Sequence, residues 1–406
     1  MQKTAAWMVL ALAAHGWACG SEGDARDPDV QGIGYWGDVG GEEGFGDPEG
    51  DVSGTEDAGG EKDAGKPEPP KPTCVQLSAQ ASTWTYFSKS CEGAPAQACC
   101  GVDLGTVIAA RVSERSGAVD TCVMELQDFT VSDALIAAHN KGRQVRVVVD
   151  DSYSDPAQEK AVQQLEAAGI VPVADTQDPN EIMHHKFMVL DSDTTLISSG
   201  NFSTYDAASN ANNLVLLESQ ELATLFRQRF EKMWSDGVFH ETSGNGPFSV
   251  WVGGQEVEVI FGPSKALVDR LVAAVKGAKH AVHFSIFSFT LDEVKSAILS
   301  RCGEVEILGV YDADQETQAD SVAVTGWCAQ ADVRRAQVSG DFGYKKLHHK
   351  VLLVDPGQGG LVVTGSANWS YSAATKNDET MVVLHDPAVV VAFEAEFQAR
   401  HNEAAQ

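Results

Sequence analysis

The sequence predicts an α/β protein built from two similar lobes, and three observations support this fold class. A motif with a His two residues before a Lys occurs twice, within residues 183–191 and again within 347–355. Apolar patterns typical of alternating helices and strands precede each copy. About 160 residues separate the two copies, which is the length of an ordinary domain, so the pattern indicates a duplicated unit.

The first 19 residues predict a signal for export. Lys3 is followed by an apolar run over 5–14 and then by a short segment that ends at Cys19. The run is too short for a spanning helix, which needs about 20 apolar residues. Cys19 directly after Ala18 resembles a bacterial lipoprotein cleavage site, which predicts a lipid on Cys19 and a membrane-anchored protein of the cell envelope. Ordinary secretion is the alternative.

Residues 20–72 predict a disordered linker. They contain fifteen Asp or Glu against four Lys or Arg, many Gly and Pro, and few large apolar side chains. Such a segment cannot bury a core. The chain outside this linker is still acidic, and the whole carries a formal net charge of −29. Extended binding to a nucleic-acid backbone depends on Lys and Arg, so the charge disfavours nucleic acid as a partner.

Export permits disulfide bonds, and seven cysteines follow Cys19. We expect Cys302 to pair with Cys328. Some pairing is also expected within a second group, in a stretch that offers little core. That group is Cys74, Cys91, Cys99 and Cys100. No Cys stands at metal-ligand spacing with a His.

The first lobe is predicted over residues 73–240. Apolar spacing indicates a helix over 107–112, a strand over 122–126 and a second helix over 132–140. A Val-rich strand then ends at Asp150. Strands and helices that alternate in this way are typical of an α/β unit.

The second lobe, predicted over 241–406, repeats this order. A helix over 267–275 and a strand over 282–287 lead to a strand over 304–311, which ends beside Asp312. In both lobes a further strand and a closing helix follow the motif. We expect the paired aromatic residues of the closing helices to be core residues, and these are Phe226, Phe230, Phe393 and Phe397.

The repeated motif carries the candidate chemistry. In an extended strand, side chains two residues apart point to the same face, so His184 and Lys186 lie together, as do His348 and Lys350. A hydroxyl and an amide follow each motif, and these residues are Ser199, Asn201, Ser366 and Asn368. Two such sets in one chain suggest a two-fold site for a tetrahedral anion, most simply a phosphodiester.

The H-x-K-x4-D pattern with a trailing G-S-x-N resembles the phospholipase D superfamily over about residues 102–395. The resemblance implies two pseudo-symmetric lobes with mixed sheets flanked by helices and an active site between them. It also implies hydrolysis through a covalent phosphohistidine intermediate, in which the Lys and Asn side chains hold the phosphate oxygens. No metal or other cofactor is required by this chemistry.

The two halves differ in the group expected behind each His. By the family pattern, the carboxylate that hydrogen-bonds the ring of His348 falls on Glu379, and the equivalent position behind His184 is Asn212. A carboxylate favours the imidazolium, whereas an amide leaves the ring more readily neutral. On that reasoning, His184 is the nucleophile and His348 is the general acid.

Four further residues of the motifs are assigned no chemical role. Asp191 and Asp355 lie four residues beyond their Lys, so we expect them to be structural. His185 and His349 point to the opposite strand face, and we expect them to be bystanders.

The leading functional hypothesis is a phospholipase D-like phosphodiesterase that acts as a self-sufficient monomer on phospholipids near the envelope. An exported, metal-independent nuclease of the same superfamily is the second. A non-catalytic envelope binding module is the third, because Asn212 and Ser198 depart from the family pattern.

Overall fold

Two mixed sheets of eight strands each form the framework of the protein in a computed structural model, which describes residues 81–150, 156–176, 180–337 and 345–404. The described residues lie in one compact unit. The predicted signal peptide, Cys19 and the acidic linker lie outside the described residues. The two-lobed α/β class predicted from the sequence is confirmed.

The strands of the first sheet are β1 (Thr83–Phe87), β2 (Ala98–Cys100), β3 (Val119–Val123), β4 (Val145–Asp150), β5 (Val173–Asp175), β6 (Lys186–Leu190), β7 (Thr194–Ser198) and β8 (Asn213–Glu218). Those of the second are β9 (Phe248–Val252), β10 (Gln255–Phe261), β11 (Ala281–Ile286), β12 (Glu306–Tyr311), β13 (Ala331–Arg335), β14 (Lys350–Val354), β15 (Leu361–Gly365) and β16 (Thr380–Leu384).

The α-helices are α1 (Leu104–Glu114), α2 (Phe129–Asn140), α3 (Pro156–Ala167), α4 (Gln220–Trp234), α5 (Lys265–Gly277), α6 (Asp292–Leu299), α7 (Tyr371–Thr375) and α8 (Pro387–Glu403). Helix α2 begins three residues earlier than the apolar spacing indicated. The reason is Asp128, whose side chain accepts a hydrogen bond from the backbone N–H of Thr130 and caps the helix.

The two sheets have the same strand order. From one edge it runs β5-β4-β3-β6-β7-β8-β1-β2 in the first sheet and β13-β12-β11-β14-β15-β16-β10-β9 in the second. The motif strands β6 and β14 occupy the same place, each antiparallel to both of its neighbours. The last pair differs, because β1 and β2 are parallel whereas β10 and β9 are antiparallel.

The hydrophobic core is divided into three regions by the two sheets. Alternate residues of each motif strand pack on opposite faces, as strand geometry requires. Phe187 and Val351 belong to a central core that both lobes share with α4 and α8. Met188 faces an outer core under α1 and α2, and Leu352 faces one under α5 and α6. The expected core aromatic residues of the closing helices all lie in the central core.

Backbone hydrogen bonds join the lobes beside both motifs. The N–H of His184 donates to the carbonyl of Asp378 at 2.9 Å, and the N–H of His348 donates to the carbonyl of Ala211 at 3.0 Å. The segment before the first motif therefore pairs with the segment before β16. The segment before the second motif pairs with the segment before β8. These two pairs fix the motifs of the two lobes next to each other.

Two disulfide bonds stabilise surface segments of the described chain. Cys302 pairs with Cys328, as expected, and Cys91 pairs with Cys100 within the second expected group. Cys74 lies outside the described residues.

None of the helices in the described part of the chain is both long and apolar enough to cross a membrane.

Candidate active site

The two His-Lys motifs come together at the boundary between the lobes. His184 and Lys186 stand at the start of β6, and His348 and Lys350 stand at the start of β14. All four side chains are buried. The charge on Lys350 acts on His184, and the charges on Lys186 and His184 act on His348, so the two motifs share one electrostatic environment.

His184 is held by a carboxylate from the second lobe. Its Nδ1 lies 2.8 Å from Oε1 of Glu379, and the other carboxylate oxygen accepts a hydrogen bond from the hydroxyl of Ser366. Burial lowers the pKa of His184, and the Glu379 charge partly offsets that effect. With Nδ1–H donated to the carboxylate, Nε2 carries the free lone pair.

His348 is held by an amide from the first lobe. Its Nδ1 lies 3.1 Å from Oδ1 of Asn212, which also accepts a hydrogen bond from the hydroxyl of Ser199 at 2.7 Å. Burial, followed by the charges on Lys350 and Lys186, holds the pKa of His348 well below its ordinary value.

The sequence-based pairing of these groups is therefore wrong. Glu379 was expected behind His348 and Asn212 behind His184, whereas each contacts the His of the opposite lobe. The cause is the exchange of backbone pairs between the lobes, which sets the segment that ends at Glu379 against His184. Spacing along one chain does not reveal this exchange.

Ser199 and Ser366 were predicted to bind substrate, and the structure shows what their hydroxyl groups contact. Each hydroxyl has a single proton, and the structure shows it donated to the partner of an imidazole, Asn212 or Glu379. Both serines are fully buried. They position the groups that orient the two rings.

The two lysines are held in the same way in each lobe. Nζ of Lys186 donates to the carbonyl of His184 at 2.8 Å, and Nζ of Lys350 donates to the carbonyl of His348 at 2.8 Å. Burial lowers the pKa of Lys186 to about 8. Burial and the neighbouring Lys186 charge lower the pKa of Lys350 to about 7. A bound anion would favour the charged form of both.

Asn201 and Asn368 occupy matching positions, each half-buried two residues after its Ser. In both, the side-chain oxygen is buried and has no hydrogen-bond partner among the described residues. The N–H₂ of the same amide is the group that can donate to a phosphate oxygen, and a 180° rotation of the amide would place it where the oxygen stands. The predicted role of both residues in holding the phosphate stays a prediction.

Phe287 and Met124 also line the site. Phe287 directly follows β11, which lies beside β14, and Met124 directly follows β3, which lies beside β6. The ring centroids of Phe287 and His348 lie 4.6 Å apart, and Nζ of Lys350 lies 4.9 Å from the centroid of Phe287. The equivalent residue in the first lobe is Met124, whose sulfur lies 4.0 Å from Nζ of Lys186. Neither residue was assigned a role from the sequence, although both lie within the predicted strands over 122–126 and 282–287.

Two aspartates at strand ends were located by the sequence but given no role. Asp150 accepts a hydrogen bond from the N–H of Met183 at 2.6 Å, and Asp312 accepts one from the N–H of Leu347 at 2.6 Å. Each thus fixes the backbone immediately before His184 or His348. Burial raises the pKa of Asp312 to about 7. Their matched place in the repeat is the signal that would have identified them.

Asp191 and Asp355 bind backbone rather than ligand. The Asp191 carboxylate accepts from the N–H of Gly117, and that of Asp355 accepts from the N–H groups of Lys279, His280 and Ala281. Both aspartates have positive φ, 53° and 49°, at the turn after the motif strand. Each therefore ties this turn to the start of the neighbouring strand.

His185 and His349 face the central core, away from the catalytic rings, but both connect the lobes. Nδ1 of His185 lies 2.8 Å from Oγ1 of Thr380, and Nδ1 of His349 lies 3.0 Å from the side-chain nitrogen of Asn213. The residue that His185 contacts directly follows Glu379, the partner of His184. The residue that His349 contacts directly follows Asn212, the partner of His348. Arg229 also contacts His185, at 3.2 Å.

One group among the described residues has the composition of metal ligands, and it consists of Asp175, His240 and Asp378. The His240 ring lies 2.6 Å from the carboxylate of Asp175 and 3.4 Å from that of Asp378, which Arg229 also binds. Burial opposes protonation, but the hydrogen bond to Asp175 and the Asp378 charge raise the pKa of His240. Two cationic and two anionic side chains balance in this ion-pair network.

Two lobes with the same sheet order, which meet at paired His-Lys motifs, define a two-lobed phospholipase D-like fold. A family model described as "Cardiolipin synthase, PLD-like domain" matches residues 110–234 and 271–401, more than half of the chain. The chain belongs to this phospholipase D-like family.

Curated relatives match part of the chain. It is 30% identical over 116 residues to a mitochondrial cardiolipin hydrolase of Chlamydomonas reinhardtii, which is 29% of this chain and 51% of that protein. The human protein of that name is 32% identical over 131 residues, 32% of this chain and 49% of that one. A phospholipase D of Rickettsia conorii is 30% identical over 105 residues, 26% and 51% of the two chains. The chain spans about half the length of these relatives.

Solved structures show the same fold. A polyphosphate kinase from Porphyromonas gingivalis superposes with a TM-score of 0.55 at 15% identity, covering 79% of this chain and 51% of that one. A phosphatidylserine synthase from Haemophilus influenzae gives a TM-score of 0.54 at 12% identity, covering 74% and 85%. The second match extends over most of both chains, which supports the two-lobed arrangement.

Proposed function

We propose that the protein is a phospholipase D-type phosphodiesterase that hydrolyses phospholipids through a phosphohistidine intermediate. The observation that carries the proposal is the crossed arrangement of the site. Each catalytic imidazole is oriented by a side chain of the other lobe, and a Lys and an Asn accompany each ring. Two oriented imidazoles and two buried cations are the groups that a phosphodiester requires.

The first step would form a P–N bond and break the P–O bond of the leaving group. Nε2 of His184 attacks phosphorus, and the ring becomes cationic. The Glu379 carboxylate at Nδ1 neutralises that charge, much as the Asp of a catalytic triad stabilises its imidazolium. His348, protonated at Nε2, gives its proton to the departing oxygen.

The second step would reverse these roles with water. Nε2 of His348, now neutral, removes a proton from water, and the resulting hydroxide attacks phosphorus. The P–N bond breaks, and its electron pair returns to Nε2 of His184. An alcohol in place of water would give transfer instead of hydrolysis by the same balance of atoms.

The assignment of His184 as nucleophile therefore rests on a different reason from the one given by the sequence. The carboxylate lies behind His184, where it stabilises a phosphorylated ring. The amide and the lysine charges lie around His348, which makes that ring the stronger acid. A ring that gives up its proton readily is suited to protonate the leaving group.

Phospholipid is the proposed substrate class, for two reasons. The curated relatives are named cardiolipin hydrolase and phospholipase D. The chain is also strongly acidic, with a formal net charge of −29, which opposes extended binding to a nucleic acid. A lipid on Cys19 would hold the site close to this substrate at the envelope, and Cys19→Ser should release the protein from the membrane fraction.

The test compares the purified full-length protein on cardiolipin and phosphatidylcholine in mixed micelles with single-stranded DNA, all in the presence of a chelator. Turnover of phospholipid alone supports the proposal, and turnover of DNA alone would assign a nuclease. Quenching in denaturant at alkaline pH, where the P–N bond survives, followed by peptide mapping should locate the phosphoryl group on His184. A label on His348 would reverse the roles, and no turnover with either substrate would leave the binding module.

A further inference from the structure

Asp206 stands behind His348 at a place where the other half of the site has no acid. It lies in a short π-helix, Tyr205–Ser209, that follows the first Ser-x-Asn cluster. The two clusters keep the same spacing up to Asn212 and Glu379, and this register puts Ala373 at the position of Asp206. Asp206 is therefore not part of the repeated pattern, and it received no role from the sequence.

The Asp206 carboxylate is buried and reaches two groups of the His348 half-site. Its Oδ1 lies 3.4 Å from Nδ1 of His348 and 3.0 Å from the side-chain nitrogen of Asn212. The Asn210 side chain donates to the same oxygen at 2.7 Å, and the N–H of Asn201 donates to Oδ2 at 2.9 Å. Only 4% of Asp206 is exposed.

These bonds determine which way the Asn212 amide points. Its nitrogen donates to the side chain and to the carbonyl of Asp206, each at 3.0 Å. Its oxygen is then left to accept from Nδ1–H of His348 and from Ser199. A reversed amide would present an N–H to Nδ1 and would favour the wrong tautomer of the ring.

After burial, which lowers the pKa of His348 most, the charged groups with the largest effect on the ring also oppose its protonation. They are Lys350, Lys186, His184 and Lys346. The ring of Phe287, which lies against His348, brings no compensating charge. A nearby anion is the kind of group that counteracts these charges and favours the protonated ring that a general acid requires.

We propose that Asp206 is the positioning carboxylate of His348, acting through the amide of Asn212 and through its own charge. It would orient the His348 ring through Asn212, whereas Glu379 orients the His184 ring by direct contact. This inference rests on the proposed function, because it assumes that His348 must donate a proton.

The experiment replaces Asp206 by Asn and follows activity against pH. Removing an anion this close to the ring should lower the pKa of His348 by about 1 to 3 units. The protonated form is the active acid, so the alkaline limb of the kcat/KM profile should move to lower pH by at least one unit. Activity at neutral pH should fall about tenfold or more, and most of it should return under more acidic conditions.

A second variant and a control make the result specific. Asp206→Asn combined with Asn212→Asp puts the carboxylate where Glu379 stands in the other half, and it should move the alkaline limb back. Asp191→Asn also removes a carboxylate from the first lobe, one that binds backbone. That control should leave the pH profile unchanged.

The His348 pKa in ¹⁵N-histidine-labelled protein can be measured by NMR without substrate. An unchanged pKa in Asp206→Asn, or an activity loss equal at every pH, would show a merely structural role and overturn the inference. If the wild type hydrolyses no phosphodiester, the proposed function fails, whereas the NMR comparison still decides the place of Asp206.

Discussion

The two halves of the site have the same backbone and different chemistry. In one half, the ring of His184 contacts the Glu379 carboxylate, which Ser366 supports. In the other, the ring of His348 contacts the Asn212 amide, which Ser199 supports. The duplicated fold supplies two imidazoles in equivalent positions, and the acid-to-amide difference behind them is one basis of the different tasks proposed for the rings.

The comparison also shows where the halves have to be alike. Lys186 and Lys350 make the same 2.8 Å bond to a His carbonyl, and Asp150 and Asp312 make the same 2.6 Å bond to the residue before each His. The symmetric groups hold backbone and charge. The asymmetric groups are those to which we assign the control of proton transfer.

The strongest test of the division of labour is to remove each ring in turn. His184→Ala and His348→Ala should each reduce phospholipid hydrolysis by about 10⁴-fold, since one removes the nucleophile and the other the proton donor. A phosphodiester of p-nitrophenol distinguishes the two variants, because p-nitrophenolate leaves without needing a proton. With that substrate, His348→Ala should release about one equivalent of p-nitrophenol per enzyme and then stall, whereas His184→Ala should release none. A burst from His184→Ala would contradict the assignment.

The next effect concerns the groups behind the rings. Glu379→Gln should lower kcat by about 10³-fold, because the phosphorylated ring of His184 would lose the charge that stabilises it. Asn212→Ala should cost only about tenfold, since an amide contributes orientation without charge. Steady-state kinetics with matched circular dichroism spectra measures both. Equal losses would mean that the acid-to-amide difference has no chemical consequence.

A smaller effect is expected in the pH dependence of anion binding. Lys350, with a pKa of about 7, and Lys186, with a pKa of about 8, are cationic below these values and lose their charge above them. Inhibition by sulfate, which stays a dianion throughout, should therefore weaken about tenfold between pH 6 and pH 9.

Arginine variants provide the check on that trend. Lys350→Arg keeps its charge at every pH in this range, so its sulfate affinity should vary less with pH than that of the wild type. An inhibition constant that is flat in the wild type would show that the lysines do not titrate as their burial requires.

The smallest effect compares one position in the two lobes. A Cβ on Gly200 would come within 2.6 Å of the side-chain nitrogen of Asn212, whereas Ala367 already occupies the equivalent place next to Glu379. Gly200→Ala should displace the amide and reduce kcat about threefold to tenfold. Ala367→Gly should leave kcat nearly unchanged and cost about 1 kcal/mol of stability or less. The reverse order would argue against a role for the Asn212 contact.

The sequence predicted the repeat, the four motif side chains and the two lobes, because these follow from local spacing and strand geometry. His184 and Lys186 had to share a face, and the same holds for His348 and Lys350. It did not predict β1, β2, β9 and β10. Strands β1 and β2 are short and are separated by ten residues without a hydrophobic pattern, and β9 shows only a weak alternation at a sheet edge.

The crossed partners could not be predicted for a geometric reason. Glu379 follows His348 in the chain, so counting along the sequence assigns it to that ring. The contact with His184 depends on how two separate sheets dock, which no local pattern encodes. Asp206 was missed for a related reason, since it has no counterpart in the repeat and its importance appears only when His348 arrives from the other lobe.

The paired backbone segments at the boundary have a consequence for how the enzyme could be divided or inherited. Each lobe carries one ring just before its motif strand, and just before another strand of the same sheet it carries the side chain that supports the ring of the other lobe. A gene fragment that encodes either lobe alone would yield two unsupported groups and no reaction centre. Such fragments should regain activity only when mixed, because each lobe needs the other to complete its half of the site.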